Sequence, residues 1–361
     1  MTGWQARHAA LLDQLEAAGH LASDWRPSFE AVPRHNFVPD HVWRATEGRC
    51  VPVDKGHVPE AWWDLVYSDE SVVTQIADGR NEGHEPTSSS SMPSMVAKML
   101  QRLQPSPAGG VLEIGTGTGW NAALLAHRFG AGNVTTVEVD QGIAARARTA
   151  LRRSGRTPEV IWADGARGWA RNEPYGGIIV TCSLGTVPYP LVEQCAAGGT
   201  IVAPIHGAAL VQLTRQEDGA ASGPFVTGAD FMPMRSHRPA AMPAGVQGWK
   251  SPTTLDTRCV LEPGFLVYTH GRAPELHLSG KDEGRGHRAW VIDGRGSGAI
   301  ADGAGSVIEY GPRSLWEEIE RLWVEYERHG RPAFDRFGLT VSRRGECVWL
   351  NSPDRPVPIR R

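Results

Sequence analysis

Three closely spaced glycines carry the clearest chemical signal in the sequence. Gly115, Gly117 and Gly119 follow an apolar run at 111–114 that is typical of a short buried strand, and an apolar stretch with helical spacing comes after them. Glycine lets the backbone approach a ligand where a side chain would clash, and the first amides of a helix favour carboxylates and phosphates. This strand, turn and helix therefore predict a ligand-binding turn.

The spacing of the glycines separates the classes of ligand. A dinucleotide-binding fingerprint requires its third glycine one residue later, where Trp120 stands. The Gly-Lys-Ser/Thr sequence of a phosphate-binding P-loop is also missing. The pattern that remains is Glu113-x-Gly-x-Gly-x-Gly, and a glycine turn without any ligand is the alternative interpretation.

Acidic residues end the next two predicted strands. Glu138 closes a strand about 20 residues beyond the glycines, where a ribose-binding carboxylate is expected, and Val139 follows it. A carboxylate there can accept hydrogen bonds from both ribose hydroxyls. The third strand runs from Glu159 into Asp164-Gly165. Acidic residues at successive strand ends favour a bound cofactor over solvated loop residues.

This arrangement resembles the first motifs of the S-adenosylmethionine-dependent methyltransferases. The resemblance implies that the glycine turn passes beside the amino acid part of the cofactor and that the third strand end contacts the adenine. It also implies S-adenosylmethionine as cofactor and S-adenosylhomocysteine as product. The predicted cofactor-binding residues are Glu113, Gly115, Thr116, Gly117, Thr118, Gly119, Glu138, Val139, Asp164 and Gly165.

The composition and charge limit the partners and the cellular compartment that are expected for this protein. The chain has 361 residues, of which 40% are hydrophobic and 21% charged, with a formal net charge of −3, so neither nucleic acid nor a membrane surface is expected as partner. The five cysteines lack Cys-x-x-Cys spacing, which fits a reducing compartment and argues against a metal site. We find no signal peptide and no membrane-spanning run, and therefore expect a soluble, cytoplasmic protein. A monomer is also expected.

Two further segments resemble one particular methyltransferase family. The sequence V-P-R-H-x-F-V-P at 32–39, and Ser-Met-Pro-Ser-Met-Val-Ala-Lys-Met-Leu at 91–100, resemble signatures of the protein-L-isoaspartate O-methyltransferases. The stretch 178–204 is similar to that family's fourth strand, helix and fifth strand. The resemblance covers about residues 5–236 and implies an α/β, Rossmann-like class I methyltransferase fold for a catalytic domain at 1–236.

The same segments depart from the family pattern on the substrate side. Extra residues lie between Pro39 and Tyr67, and the stretch 74–85 is longer and more polar than in the family. A serine run at 88–91 replaces the usual approach to the motif, and Ser94 stands where the family has histidine. The cofactor half therefore looks intact while the substrate half is altered.

The remainder of the chain is predicted from local pattern. An amphipathic helix is expected at 4–19 and an ordered, non-helical surface turn at 31–40. Edge strands are expected at 211–214 and 231–235, followed by a proline-rich linker at 237–254.

Residues 255–361 are predicted to form a smaller α+β accessory domain for peptide recognition. Strands are expected at 265–269, 289–293 and 306–310, and a last strand pair at 339–342 and 346–350. Between them, Ser314 and Glu317 predict a capping box at the start of a helix that ends at Gly330.

The resemblance assigns the methyl acceptor to the serine segment. A carboxylate is already ionised at pH 7, so methyl transfer needs alignment and exclusion of water more than a base, and positioning can supply about 7 to 11 kcal/mol. Ser91 is the predicted catalytic residue, binding the acceptor carboxylate, with Ser88, Ser89, Ser90 and Ser94 as substrate-binding residues. The alternative is that Ser91 only caps the helix at 93–103.

Three functions are compatible with these residues. The favoured hypothesis is methylation of an aspartate in a modified, cyclised ribosomal peptide such as a lanthipeptide or graspetide, after which the ester closes to an aspartimide. The second is housekeeping repair of isoaspartyl residues. The third is a peptide-binding chaperone without catalysis, which the retained acidic residues Glu113, Glu138 and Asp164 disfavour.

Overall fold

The chain folds into two compact units. The computed structural model describes residues 3–46, 49–80, 85–205, 209–238, 248–283 and 286–357. Unit 1 consists of Met1–Thr181 and Pro190–Val202, and unit 2 of Cys182–Tyr189 and Ala203–Arg361. Parts of the predicted polar stretch at 74–85 and of the predicted linker at 237–254 lie outside the described residues.

Unit 1 is built around a parallel sheet. Its strands carry near-continuous apolar runs because both faces of such a sheet are covered by helices. Ile114 pairs with Val137 on one side and with Val180 on the other, so the carboxyl ends of three neighbouring strands meet at one edge. The strand order is β9-β8-β5-β6-β7. The strands are β5 Gly110–Ile114, β6 Val134–Glu138, β7 Glu159–Trp162, β8 Tyr175–Val180 and β9 Cys195–Ile205.

Helices alternate with these strands, which confirms the predicted Rossmann-like α/β fold. The helix after the glycine turn begins at Trp120, and the next begins after Asp140, whose side chain accepts a hydrogen bond from the Ile143 amide. Such a cap satisfies one of the unpaired amides at a helix start. The helices are α4 Pro93–Arg102, α5 Trp120–Phe129, α6 Gln141–Arg153 and α7 Tyr189–Gln194.

A smaller antiparallel sheet precedes them in unit 1. Its order is β2-β1-β3-β4, and Ser88, Ser89 and Ser90 of the serine run lie in its last strand, with Ser91 directly after it. The extra residues between Pro39 and Tyr67 include two antiparallel strands and a short helix within this part. The strands are β1 His41–Thr46, β2 Arg49–Asp54, β3 Val72–Ile76 and β4 Pro86–Ser90. The helices are α1 Gly3–Ala17, α2 Arg26–Ala31 and α3 Pro59–Val66.

The predicted non-helical surface turn at 31–40 is wrong in its backbone and in its burial. A short 3-10 helix occupies Arg34–Asn36, and the side chains of Val32, Arg34, Phe37 and Val38 are all buried. Prolines bracket the segment, as expected. Its apolar side chains are buried in the protein, and the Arg34 side chain is buried as well.

The strands of unit 2 are antiparallel to their neighbours within the unit and follow the orders β18-β17-β11-β10 and β12-β16-β15-β14-β13. The predicted strand pair at the end of the chain is present, and it pairs with β11. The strands are β10 Ala209–Arg215, β11 Ala221–Gly228, β12 Trp249–Pro252, β13 His277–Glu283, β14 Gly286–Ile292, β15 Gly298–Asp302, β16 Ser306–Tyr310, β17 Phe337–Ser342 and β18 Gly345–Leu350. The helices are α8 Pro263–Arg272 and α9 Leu315–Arg328.

Several local predictions for unit 2 are wrong. Residues 231–235 form no strand, β11 was missed, and the strand expected at 265–269 is part of helix α8. Strand β12 falls inside the predicted linker. Helix α9 is confirmed, but its N-terminal Ser314 makes no side-chain cap. Among the described residues, no helix combines the length and the apolar character required to cross a bilayer.

Candidate active site

The glycine turn is held in left-handed backbone conformations. Gly115, Gly117 and Gly119 have φ angles of 96°, 53° and 87°. A Cβ on Gly115 would lie 2.6 Å from Oγ1 of Thr181, which donates a 2.7 Å hydrogen bond to the Gly115 carbonyl. Both the backbone conformation and this close approach therefore require glycine at the first position.

Glu113 supports the turn from within the protein. Its side chain is fully buried, with Nδ2 of Asn121 donating to one carboxylate oxygen at 2.7 Å and Oγ1 of Thr136 donating to the other at 2.5 Å. Burial raises the pKa of Glu113 to about 7, although the two hydrogen bonds oppose the rise. Thr116, also buried, bonds to Thr136 at 2.7 Å. These residues shape the turn, and their direct contact with a cofactor stays a prediction.

Glu138 joins the turn to the next strand. One carboxylate oxygen accepts from the Gly117 amide at 3.0 Å, and the other accepts from the Asp140 amide at 3.0 Å. Each carboxylate oxygen has two lone pairs, so a carboxylate fixed in this way can accept further hydrogen bonds from a pair of hydroxyls. The residue predicted to bind ribose thus lies directly beside the glycine turn.

The ends of the second and third strands, β6 and β7, present an apolar surface. Val139 is 39% exposed and Trp162 is 55% exposed, and Nε1 of Trp162 donates to the Val139 carbonyl at 3.1 Å. Asp164 accepts from the Ala166 amide, and a Cβ on Gly165 would lie 2.4 Å from the Ile114 side chain. Gly165 therefore has a packing requirement of its own. Trp162 is not among the predicted site residues, although an aromatic residue at a strand end before Asp-Gly could have indicated it as a candidate.

The serine strand lies next to the glycine turn. A Cβ on Gly117 would be 3.5 Å from the Ser89 carbonyl oxygen, and Oγ1 of Thr74 donates to the Ser88 hydroxyl at 3.3 Å. A cleft with about 310 Å³ of open space separates this strand from helix α6. Its lining comprises Phe37, Pro39, Thr74, Ser88, Gly117, Thr118, Ile143, Arg146 and Ala150.

The remaining serines differ in accessibility. Ser90 and Ser94 are buried, so they do not line the open surface of the site, whereas Ser91 is partly exposed. The structure does not support the alternative that Ser91 caps helix α4, because the capping position is Met92 and has no side-chain cap. Instead the Ser94 amide donates to Oδ1 of Asp69 at 2.8 Å.

Arg34 is the second residue that sequence reasoning missed. Its guanidinium is buried, donates to the carbonyls of Ser90 and Ser91 at 2.9 Å each, and lies 5.4 Å from the centre of the Trp120 ring. Burial lowers the pKa of this guanidinium. Arg34 belongs to the motif at 32–39, but nothing in the pattern of that motif indicates that an arginine is enclosed beneath the serine segment.

The part of the chain that contains these site residues is similar to known proteins. A family model described as Protein-L-isoaspartate(D-aspartate) O-methyltransferase matches residues 6–238. The protein-L-isoaspartate O-methyltransferase of Methanoregula boonei is 37% identical over 242 residues, covering 66% of this chain and 93% of the relative. That of Pyrobaculum arsenaticum is 32% identical over 233 residues, covering 62% of this chain and 98% of the relative.

A solved structure of a protein-L-isoaspartate O-methyltransferase is also similar. It matches with a TM-score of 0.56 at 20% identity, and the match covers 96% of this chain and 100% of that one. At this identity the likeness concerns the fold, including residues beyond the part matched by the family model.

Proposed function

The chain belongs to the protein-L-isoaspartate O-methyltransferase family, and from this premise we propose that it methylates the free carboxylate of isoaspartyl residues in proteins or peptides. S-adenosylmethionine is the methyl donor of this class of enzyme. The observation that carries the proposal is the approach of the serine strand to the glycine turn, where Ser89 and Gly117 are neighbours. It brings the proposed acceptor site next to the proposed cofactor site.

The residues at the sheet edge fit this cofactor. The left-handed glycines leave no side chain over the turn, the Glu138 carboxylate can receive two hydroxyl donors, and exposed Val139 and Trp162 offer apolar surface for a planar base. When bound, the cofactor supplies a methyl group on a sulfonium, which reacts with a carboxylate without any metal or redox partner. Thr118 and Asp164 complete the set of residues that we propose for this site.

The chain's own residues then align the acceptor. We propose that the Ser91 hydroxyl donates a hydrogen bond to the isoaspartyl carboxylate and aims one of its oxygens at the methyl group, with Ser88 and Ser89 binding the neighbouring peptide backbone. Since the carboxylate is already ionised, no proton has to be removed. Alignment is the main contribution, with an upper range of about 7 to 11 kcal/mol.

The product explains the use of such a reaction in repair. The methyl ester is a better acyl donor than the carboxylate, so the next backbone nitrogen attacks its carbonyl carbon, a C–N bond forms and methanol leaves. The resulting succinimide hydrolyses to aspartate or isoaspartate. This step follows from the ester itself and requires no further group on the enzyme.

Methylation of an aspartate in a cyclised ribosomal peptide is the second candidate. The serine run and Ser94 in place of histidine favour it, but the relatives described above carry the name of the isoaspartate enzyme. The C-terminal residues do not favour this second candidate either, because a solved structure named as a protein-L-isoaspartate O-methyltransferase matches 96% of this chain.

A peptide-recognition role for residues 255–361 stays a prediction. If these residues bind the peptide, substitution of the exposed Ile308 in β16 should raise the KM for the peptide.

Mass spectrometry with matched peptides tests the two candidates. Full-length protein and S-adenosylmethionine are incubated with an isoaspartyl peptide, its aspartyl isomer, and a side-chain-cyclised aspartyl peptide. We expect one methyl group on the isoaspartyl peptide alone. Methylation of only the cyclised aspartyl peptide would refute repair and support the second candidate.

Ser91→Ala tests the acceptor role within the same assay. We expect kcat/KM for the isoaspartyl peptide to fall about tenfold, which corresponds to one hydrogen bond to a charged group. Thermal stability should not change, because Ser91 caps no helix. Ser279→Ala, an exposed serine in unit 2, is the matched control and should leave both quantities unchanged.

A further inference from the structure

Arg34 contacts an unusual number of backbone acceptors. Its side chain is 1% exposed, and its nitrogens lie within 2.9 to 3.4 Å of five backbone carbonyls and the Ser90 hydroxyl. An arginine has five N–H groups in a planar fork, so such a set uses its whole donor capacity. The carbonyls belong to Val66, Ser68, Glu70, Ser90 and Ser91.

These acceptors fall into two groups that are distant in sequence. Two belong to Ser90, the last residue of strand β4, and to Ser91 after it, and three belong to the loop at 66–70, which begins at the last residue of helix α3. The same loop reaches the serine segment a second time, because Oδ1 of Asp69 accepts from the Ser94 amide at 2.8 Å. The loop therefore holds the segment 90–94 at both ends.

Because Asp69 accepts a hydrogen bond from the Ser94 amide, Ser91 is not needed to cap the start of helix α4. The first amides of a helix have no partner within the helix, and a serine just before the helix normally supplies one. Here a carboxylate from a distant loop bonds the Ser94 amide, and within the described ranges the Ser91 hydroxyl makes no hydrogen bond. The backbone of Ser91 is fixed by Arg34 while its hydroxyl is left for another partner.

We propose that Arg34 and Asp69 are positioning residues for methyl transfer. They act through Ser91: Arg34 fixes its carbonyl, and Asp69 takes over the helix cap that would otherwise compete for its hydroxyl. This inference rests on the proposed function of Ser91 and adds the elements that keep its position. Lysine cannot replace Arg34, because an ammonium is a point donor and cannot span two groups of carbonyls.

Variants at the two positions separate positioning from general stability. Arg34→Lys keeps the positive charge and loses the planar fork, while Asp69→Ala removes the cap and Asp69→Asn keeps an oxygen acceptor. Three quantities are measured: the Kd for S-adenosylhomocysteine, kcat and KM for an isoaspartyl peptide, and amide hydrogen exchange of residues 90–95.

For Arg34→Lys we expect kcat/KM for the peptide to fall by about 100-fold, as for a reacting group misplaced by about an ångström, while the Kd for S-adenosylhomocysteine stays unchanged. Asp69→Ala should show a smaller loss, and Asp69→Asn should recover most of it. Exchange at 90–95 should quicken in Arg34→Lys and Asp69→Ala, and exchange elsewhere should stay as in the parent protein.

Two results would overturn the inference. One is a peptide kcat/KM in Arg34→Lys and Asp69→Ala equal to that of the parent. The other is a parallel loss of cofactor affinity and turnover, which marks general destabilisation. If the parent protein itself fails to methylate isoaspartyl peptides, the proposed function has failed, and hydrogen exchange at 90–95 then decides the inference: unchanged exchange in both variants refutes it, and quickened exchange supports it.

Discussion

Replacing Glu113 by glutamine should make the protein's stability less sensitive to pH. Burial raises the pKa of Glu113 from 4.5 to about 7. In the unfolded chain the carboxyl ionises near 4.5, whereas in the folded protein it keeps its proton until about pH 7. Between these values the folded state binds more protons, so stability falls as pH rises.

The size of the effect follows from the shift. One pKa unit corresponds to about 1.4 kcal/mol, so the shift of Glu113 costs about 3 kcal/mol of stability between pH 4 and pH 8. Glutamine has no such titration and keeps the shape of the side chain, and its oxygen can still accept from Asn121. The free energy of unfolding of Glu113→Gln, relative to the parent, should therefore increase by about 3 kcal/mol from pH 4 to pH 8.

Urea denaturation at the two pH values measures this difference. Circular dichroism and tryptophan fluorescence should give coincident transitions before a free energy is extracted. Glu217→Gln, at an exposed position of unit 2, is the control and should show no comparable difference. A difference for Glu113→Gln that is constant between pH 4 and pH 8, or that decreases, would show that Glu113 is ionised in the folded protein and would refute the reasoning.

Three further substitutions test the cofactor site. Gly115→Ala should cost about 1 to 2 kcal/mol from its positive φ alone, with an added clash against Thr181 that Thr181→Ala relieves in part; urea titrations of the single and double variants measure both terms. Glu138→Ala should weaken S-adenosylhomocysteine binding by about 10- to 100-fold, as expected for lost hydrogen bonds to a charged group, and calorimetry showing full affinity would contradict the ribose assignment. Trp162→Ala should weaken the same binding without lowering the melting temperature, since this side chain is 55% exposed; a lower melting temperature with unchanged affinity would instead make Trp162 a packing residue.

The sequence patterns predicted the parallel sheet because, in this part of the chain, the local residue pattern agrees with the position of each residue in the fold. Val111, Leu112 and Ile114 are apolar and buried, the glycines follow directly, and Glu138 ends the neighbouring strand, so local pattern and tertiary position agree. At 265–269 the same kind of apolar run is helical. Pro263 begins that helix, and a short apolar run alone does not distinguish a buried strand from a buried helix.

The parts of the site that the sequence did not reveal depend on distant contacts. Arg34 was expected near the surface with the rest of the segment 31–40, because two prolines bracket this basic and aromatic stretch. Its burial becomes possible only when the loop at 66–70 and the strand end at 90–91 supply acceptors together. Asp69 likewise caps a helix 25 positions later in the chain. Neither contact has a local sequence pattern, because each joins residues that are distant in the chain and close together in the folded protein.

The pairing of β11 with β17 has a consequence for synthesis on the ribosome. Ala221 pairs with Val341, so β11 emerges about a hundred residues before its neighbour, and closing such a loop is slow. Until β17 appears, β11 presents an open edge of unpaired amides and carbonyls, a template for joining other chains. Nascent chains that stall before residue 337, or fragments made to end at 254, should therefore aggregate more readily than the full-length protein.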